Sequence, residues 1–316
     1  MTTPPLPSAA PEPAPEPAPR SAGFPAAIIL VAPFLWATNT ILGKAVVDLV
    51  PPLGFAFWRW LAAFLIITPI AWPRLKRDWP VIRRNLPILA LFGITGTAGF
   101  NALLYAGLQW TEAINALLIN ATSPAAIFVA TFLLFGERPR WQEILGGILS
   151  LGGIVLIAVR GDLGALATLT LNPGDLAIVA AMIIYAIYSA LLRRRPAIHP
   201  VSFLSATFFF GAIALLPFWI GEVALGRSMP VNGTAIGAVF YTAAFPSIVA
   251  YFCFNRSVER VGANRAGLSL QLIPLFGAGL AIVFLGETIS AYHAVGTGLI
   301  LGGLLLAHAV KRKPAS

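Results

Sequence analysis

Apolar stretches of roughly 18–23 residues alternate along the chain with short polar segments, and that length is what an α-helix needs to cross the hydrocarbon core of a bilayer. Ten such stretches are predicted, at about 24–43, 53–72, 86–108, 114–135, 142–159, 174–192, 201–221, 232–254, 266–285 and 291–310. Proline and glycine recur inside them. A membrane helix tolerates both where neighbouring segments satisfy the freed backbone groups.

Composition sharpens the class. The chain is 58% hydrophobic and 10% charged, with a mean hydropathy of +0.84. A soluble domain of 316 residues carries far more charge, so the pattern reads as an all-α polytopic membrane protein. Residues 1–23 are proline-rich and lack the basic-then-apolar order of a signal peptide, which predicts a disordered leader with no part in transport. The lone Cys253 excludes an intramolecular disulfide framework, and the three histidines have no clustered partners that would suit a metal. No cofactor is expected.

The formal charge of +9 does not point to nucleic acid, because the basic residues sit in short groups between apolar stretches. Placing the leader in the cytoplasm puts seventeen lysines and arginines in inside segments, from Arg20 through the Arg74–Arg84 and Arg193–Arg195 groups to Lys311–Lys313. Only Lys44, Arg160 and Arg227 fall outside. The positive-inside bias therefore predicts that both termini are cytoplasmic.

The sequence also repeats itself at an offset of about 150 residues. Pro124 recurs as Pro274, Gly136-Glu137 as Gly286-Glu287, Gly146 as Gly296, and Gly152-Gly153 as Gly302-Gly303. At nearly the same offset Pro52, Phe55 and Pro69 recur as Pro200, Phe203 and Pro217. Each copy holds five predicted spans, an odd number, so the second copy must enter the bilayer upside down. The predicted layout is a first five-helix repeat over 24–160, a periplasmic linker over 161–173, an inverted second repeat over 174–311 and a cytoplasmic tail over 312–316. Inverted repeats are a transporter architecture that places substrate where the halves meet.

With the repeat come motifs that resemble the drug/metabolite transporter superfamily, in its EamA branch. They are Trp36 within PFLWATNTILGKAV, Arg59 within FAFWRW, and the two glycine-glutamate endings LFGE and FLGE ahead of glycine-rich helices. The resemblance runs from about residue 24 to 311, and within the family the chain looks most like bacterial amino acid exporters. It implies a basket in which helices 1–4 and 6–9 surround a central cavity, helices 5 and 10 lie outside as supports, and alternating access drives export.

Polar and aromatic residues at mid-span are the substrate candidates, since buried polar groups in a membrane often mark a pathway. They are Trp36, Asn39, Asn101, Tyr105, Asn120, Tyr185, Tyr188, Tyr251, Ser269 and Gln271. The repeat pairs Trp36 with Tyr185 and Asn101 with Tyr251. Aromatic rings beside neutral amides suit a neutral or zwitterionic solute with an apolar side chain. Arg59 is the one charge well inside a span, and it either binds a substrate carboxylate or snorkels outward to the interface. Pro124, Pro246 and Pro274 are candidate hinges, with a static kink as the alternative. Trp58, Trp60, Trp72, Trp79, Trp110, Trp141 and Trp219 lie near predicted span ends and read as interfacial belts. The glycine stripes Gly93-Gly96-Gly99 and Gly298-Gly302 read as close helix contacts.

The predicted protein is therefore a monomeric transporter of the inner membrane, surrounded by lipid, that exports amino acids with aromatic or other neutral side chains and related metabolites. A broader drug or nucleotide-metabolite exporter, coupled to protons, is the alternative. No HExxH motif, intramembrane aspartate pair or serine–histidine pair points to an enzyme. No carboxylate falls at mid-span, so a facilitator without a buried proton relay is expected.

Overall fold

The computed structural model describes residues 28–46, 49–111, 119–168, 172–285 and 291–308, and these are helical with no strand among them. The leader, Glu287 and the tail lie outside the described residues. The first copy consists of α1 (Ile28–Val46), α2 (Pro52–Arg84), α3 (Leu86–Leu108), α4 (Ser123–Phe135) and α5 (Trp141–Ala158). The second consists of α6 (Pro173–Leu191), α7 (Pro200–Ala224), α8 (Gly233–Val261), α9 (Ala263–Leu268), α10 (Leu272–Leu285) and α11 (Ala291–His308). Among the described residues six helices are long and apolar enough to cross a membrane: α2, α3, α5, α7, α8, and α6 with its 3₁₀ extension to Arg194. Shorter apolar helices accompany them.

Local chemistry sets the helix ends. Pro52 and Pro200 open α2 and α7, where a missing N–H costs nothing. The Asn172 side chain accepts from the Asp175 N–H while the Asp175 carboxylate accepts from the Asn172 N–H, closing a reciprocal cap on α6. The LFGE motif is a helix stop: Gly136 takes φ 66°, a left-handed geometry suited to glycine, and its N–H donates to the Phe132 carbonyl. The predicted second span, 53–72, lies within a longer helix. α2 continues to Arg84 because Ala71, Leu75 and Ile82 keep an apolar face against the bundle, so Arg74–Arg84 lie on a helix rather than in a loop.

Packing follows the repeat. α1 lies against α8 and α10, and its counterpart α6 lies against α3 and α4. α2 meets its counterpart α7, and α5 meets its counterpart α11. The α5–α11 seam runs through glycine: a Cβ at Gly153 would stand 2.5 Å from the Gly296 carbonyl oxygen, one at Gly296 2.8 Å from that of Gly153, and Gly146 and Gly303 exclude each other's Cβ in the same way. Between them Ser150 Oγ donates to the carbonyl of Ile300, its own repeat counterpart (3.1 Å). Gly146 facing Gly303 while Gly153 faces Gly296 makes the helices antiparallel. The contacts also exchange under the 150-residue offset, as a two-fold relation between the copies requires. Gly298 and Gly302, expected at a seam, meet nothing within 4 Å. The seam uses the seven-residue spacing of Gly296 and Gly303, which lie on the other face.

The outer face is strongly apolar, with Leu133, Leu176 and Leu305 exposed by 70% or more. Charge gathers at one end, where Glu137 pairs with Arg193 (2.5 Å) and Glu259 with Arg195 (2.7 Å).

Candidate functional site

At the middle of the bundle two helices leave α geometry at matching places. α3 winds as a π-helix over Ile94–Gly99 and α8 over Ala243–Val249, again about 150 residues apart. Pro246 lacks the N–H that an α-helix would use there, and widened turns of this kind often sit at functional sites. In both cases a carbonyl is engaged by an aromatic side chain of the other copy. Trp36 Nε1 donates to the Pro246 oxygen (3.0 Å), and the Tyr251 hydroxyl donates to the Gly96 oxygen (2.5 Å).

These two rings belong to one aromatic cluster. Trp36 stands edge-on to Tyr185 (centroids 6.1 Å apart) and to Tyr251 (5.6 Å), and tilts against Phe254 (5.4 Å). Tyr188 lies between Tyr185 and Tyr251, and its hydroxyl donates to Asn255 Oδ1 (2.9 Å). Trp60 closes the cluster edge-on to Tyr251 at 5.2 Å. Its sequence reading as an interfacial belt is wrong: Trp60 is fully buried. Ala56, Ala63 and Ala71 share its face of α2 and are buried with it, so small residues at helical spacing were the available signal. Trp58, Trp72, Trp79, Trp110 and Trp141 are exposed.

Arg59 adjoins the cluster and does not snorkel, being only 2% exposed. Its Nε donates to Ser247 Oγ in the α8 π-turn (2.8 Å), and Nη1 donates to Asn39 Oδ1 (3.3 Å) and the Tyr105 hydroxyl (3.2 Å). The guanidinium carbon is 4.9 Å from the Trp60 ring centre. Nη2 has no acceptor among the described residues. Nor does any described carboxylate face Arg59: Glu222 accepts from the N–H groups of Leu53 and Gly54, Asp78 from that of His199 and Asp162 from that of Gly164, Asp175 caps α6, Glu143 accepts from the Arg140 N–H, and Glu137 and Glu259 pair with arginines. Withdrawing a guanidinium from water costs several kcal/mol, and four neutral neighbours offset this less well than an anion would.

The structure divides the sequence candidates. Trp36, Asn39, Arg59, Tyr105, Tyr185, Tyr188 and Tyr251 come together. Asn101 is buried beside them but donates to the Thr97 carbonyl of its own helix (2.7 Å). Ser269 bonds back to the Ala266 carbonyl, and Gln271 Nε2 reaches the Gly147 carbonyl of α5 (3.3 Å), at the wall of a cavity of about 160 Å³. Asn120 is half-buried near that cavity, away from Arg59. Pro124 opens α4, Pro246 lies inside the α8 π-turn, and Pro274 follows the 3₁₀ turn Ser269–Gln271. Another cavity, about 540 Å³, opens between α2, α7 and α8 with Trp58, Trp219 and Phe240 in its walls.

Residues 24–159 and 172–308 each match the EamA-like transporter family. The chain belongs to that family. Two copies of the family unit account for the repeat, and membership makes the chain an integral membrane transporter. Among curated EamA-type relatives, it is 28% identical over 281 residues to the uncharacterized transporter YyaM of Bacillus subtilis, covering 86% of this chain and 90% of the relative. It is 27% identical over 227 residues to a probable terminal-alkyne amino-acid exporter of Streptantibioticus cattleyicolor, covering 71% and 73%. A crystal structure 22% identical in sequence superposes with a TM-score of 0.73 over 89% of this chain and 95% of that one, a likeness of fold.

Proposed function

We propose that this EamA-family transporter is an inner-membrane exporter of amino acids with aromatic or other neutral side chains and of related small metabolites. It works by alternating access through ten spans in two inverted five-helix repeats, with both termini cytoplasmic. The observation that carries the reading is the buried Arg59, which has no carboxylate partner among the described residues and stands beside an aromatic cluster built from both copies. A guanidinium fits a carboxylate, and aromatic walls fit an apolar side chain. The amino-acid exporter among the relatives is consistent with this.

Alternating access follows from the repeat, since two inverted copies can exchange conformations about a fixed central site. The π-turns are the natural places to bend, because each is bonded to an aromatic residue of the opposite copy. Coupling to protons is not part of the proposal: the described carboxylates are already engaged by N–H groups or arginines, Asp78 on α2 by the His199 N–H.

Uptake of labelled phenylalanine, tryptophan and leucine into proteoliposomes tests the function. Saturable uptake is expected, with Trp36→Ala and Tyr185→Ala slowing it at least tenfold. Wild-type rates in both variants would remove the aromatic cluster from the pathway. Flux that requires an imposed pH gradient would replace the facilitator with a proton-coupled carrier.

A further inference from the structure

α2 is 33 residues long, whereas its counterpart α7 stops after 25. At 1.5 Å per residue α2 reaches about 50 Å, beyond the roughly 30 Å hydrocarbon core and the 40–45 Å that includes the headgroups. The excess carries Arg74, Lys76, Arg77, Arg83 and Arg84, all exposed. Other arginines at that end are paired: Arg193 with Glu137, Arg195 and Arg256 with Glu259, and Arg265 with Glu143. The five on α2 have no ion pair among the described residues. The one acid between them, Asp78, accepts instead from the His199 N–H (2.9 Å).

The spacing of these residues makes a ridge. Trp72, Lys76, Trp79 and Arg83, four, three and four apart, share one face of the helix. The residues one step earlier, Ala71, Leu75, Asp78 and Ile82, turn into the bundle. Trp72 and Trp79 are 54% and 56% exposed, and Lys76 Nζ lies 5.3 Å from the centre of the Trp72 ring. Toward the middle of α2 the same face continues through Leu65 and Trp58, at seven-residue intervals from Trp72 and also exposed. The face is therefore apolar along the span and becomes aromatic and cationic beyond it. Indole rings favour headgroup depth, and cations clustered just past a span attract anionic lipid. We propose that this ridge of α2 binds an anionic phospholipid, with Lys76 and Arg83 on the headgroup phosphate and Trp72 and Trp79 against the start of the acyl chains. A soluble acidic partner would have no use for a face that runs unbroken into Leu65. The ridge needs only a bilayer around the bundle, whatever solute the protein exports.

The test is equilibrium binding of phosphatidylglycerol and phosphatidylcholine, with identical radiolabelled acyl chains, to the purified full-length protein in detergent. The first lipid carries a net negative charge and the second does not. A cation near an anionic surface is worth roughly fivefold in affinity. Phosphatidylglycerol should therefore bind at least fivefold more tightly at low salt, and the preference should fall severalfold in about 0.5 M salt, which screens exposed charges. Lys76→Gln together with Arg83→Gln should remove the preference. Arg227→Gln, which removes an exposed cation beyond the far end of α7, should leave it intact. Trp72→Ala together with Trp79→Ala should weaken both lipids severalfold, and unchanged binding there would strike the rings from the site. A wild type that binds the two lipids equally overturns the proposal and leaves the ridge to a soluble acidic partner. Retention of the preference in the Lys76→Gln, Arg83→Gln protein overturns it as well. So does displacement of bound phosphatidylglycerol by an equimolar amount of inorganic phosphate, which would make the ridge a site for the free anion.

Discussion

Between α5 and α11 the two copies meet through glycines, and each contact has its repeat-related counterpart: Gly146 with Gly303, Gly296 with Gly153, and Ser150 beside Ile300. At the centre the same relation holds for positions and fails for bonds. Trp36 corresponds to Tyr185 and Pro246 to Gly96, so the bond from Trp36 to the Pro246 carbonyl should be matched by one from Tyr185 to Gly96. Instead the Gly96 oxygen is held by Tyr251, and the Tyr185 hydroxyl has no partner. A seam that obeys the two-fold contact by contact has no second arrangement to visit. A centre that breaks it has one, namely the mirrored set of bonds. The peripheral pair therefore reads as a static support and the centre as the part with two states.

The largest expected effect tests the static half. Gly146→Leu would push a side chain into the Gly303 backbone, where even a methyl group does not fit. Overpacking of this kind costs about 1–3 kcal/mol and more where backbone is the obstacle. A clear loss of thermal stability in detergent is expected, whereas Gly152→Leu, with nothing within 4 Å, should be nearly neutral. Equal behaviour of the two variants would mean that the seam is not tight.

Next come two tyrosines that the comparison separates. Tyr251→Phe strands the Gly96 carbonyl in a buried position and should cost about 1–3 kcal/mol of stability. Tyr185→Phe removes a hydroxyl that has no partner here, so stability should hold or rise by up to about 1 kcal/mol. If the opposite state bonds Tyr185 to Gly96, however, transport slows severalfold. Melting curves and flux on the same preparations sharpen the contrast. A Tyr185→Phe protein with unchanged flux would make the broken symmetry a fixed feature of the fold.

Much of this was legible before the structure. The hydrophobic pattern and the 150-residue echo predicted helices in two copies, because both depend on periodicity that survives without knowledge of contacts. Trp36, Tyr185 and Tyr251 stood out because large rings at mid-span are unusual. Two things were hidden. Trp60 looked like a belt residue, since distance from a span end is a poor guide to burial in α2, a helix that runs on to Arg84. The division that leaves Gln271 and Ser269 by α5 depends on which face α9 and the following 3₁₀ turn present, and that is set by packing. Arg59 was visible, but its choice between snorkelling and burial was not, because it is decided by Ser247, Asn39 and Tyr105 on three other segments.

The smallest effects concern the first turns of α2 and α7, another corresponding pair that is capped differently. α2 is capped by Glu222, a carboxylate reached from α7, accepting from the Gly54 N–H at 2.6 Å. α7 is capped by its own His199, whose Nδ1 accepts from the Val201 N–H at 3.3 Å. A charged acceptor at a helix start gains from the macrodipole, so Glu222→Ala should cost about 1–2 kcal/mol, while His199→Ala costs about 0.5 kcal/mol. The His199 cap should respond to mild acid. Burial, aided by the nearby Arg74, holds the His199 imidazole below its usual range, so the folded state favours the neutral ring that can accept. A lowered folded value means that the contribution is present above the unfolded pKa of about 6.5 and is lost as pH falls toward the folded value. The difference in melting temperature between wild type and His199→Ala should therefore shrink between about pH 7 and pH 5. A difference that stays constant over that range would mean that the start of α7 is stabilised by something other than the His199 side chain.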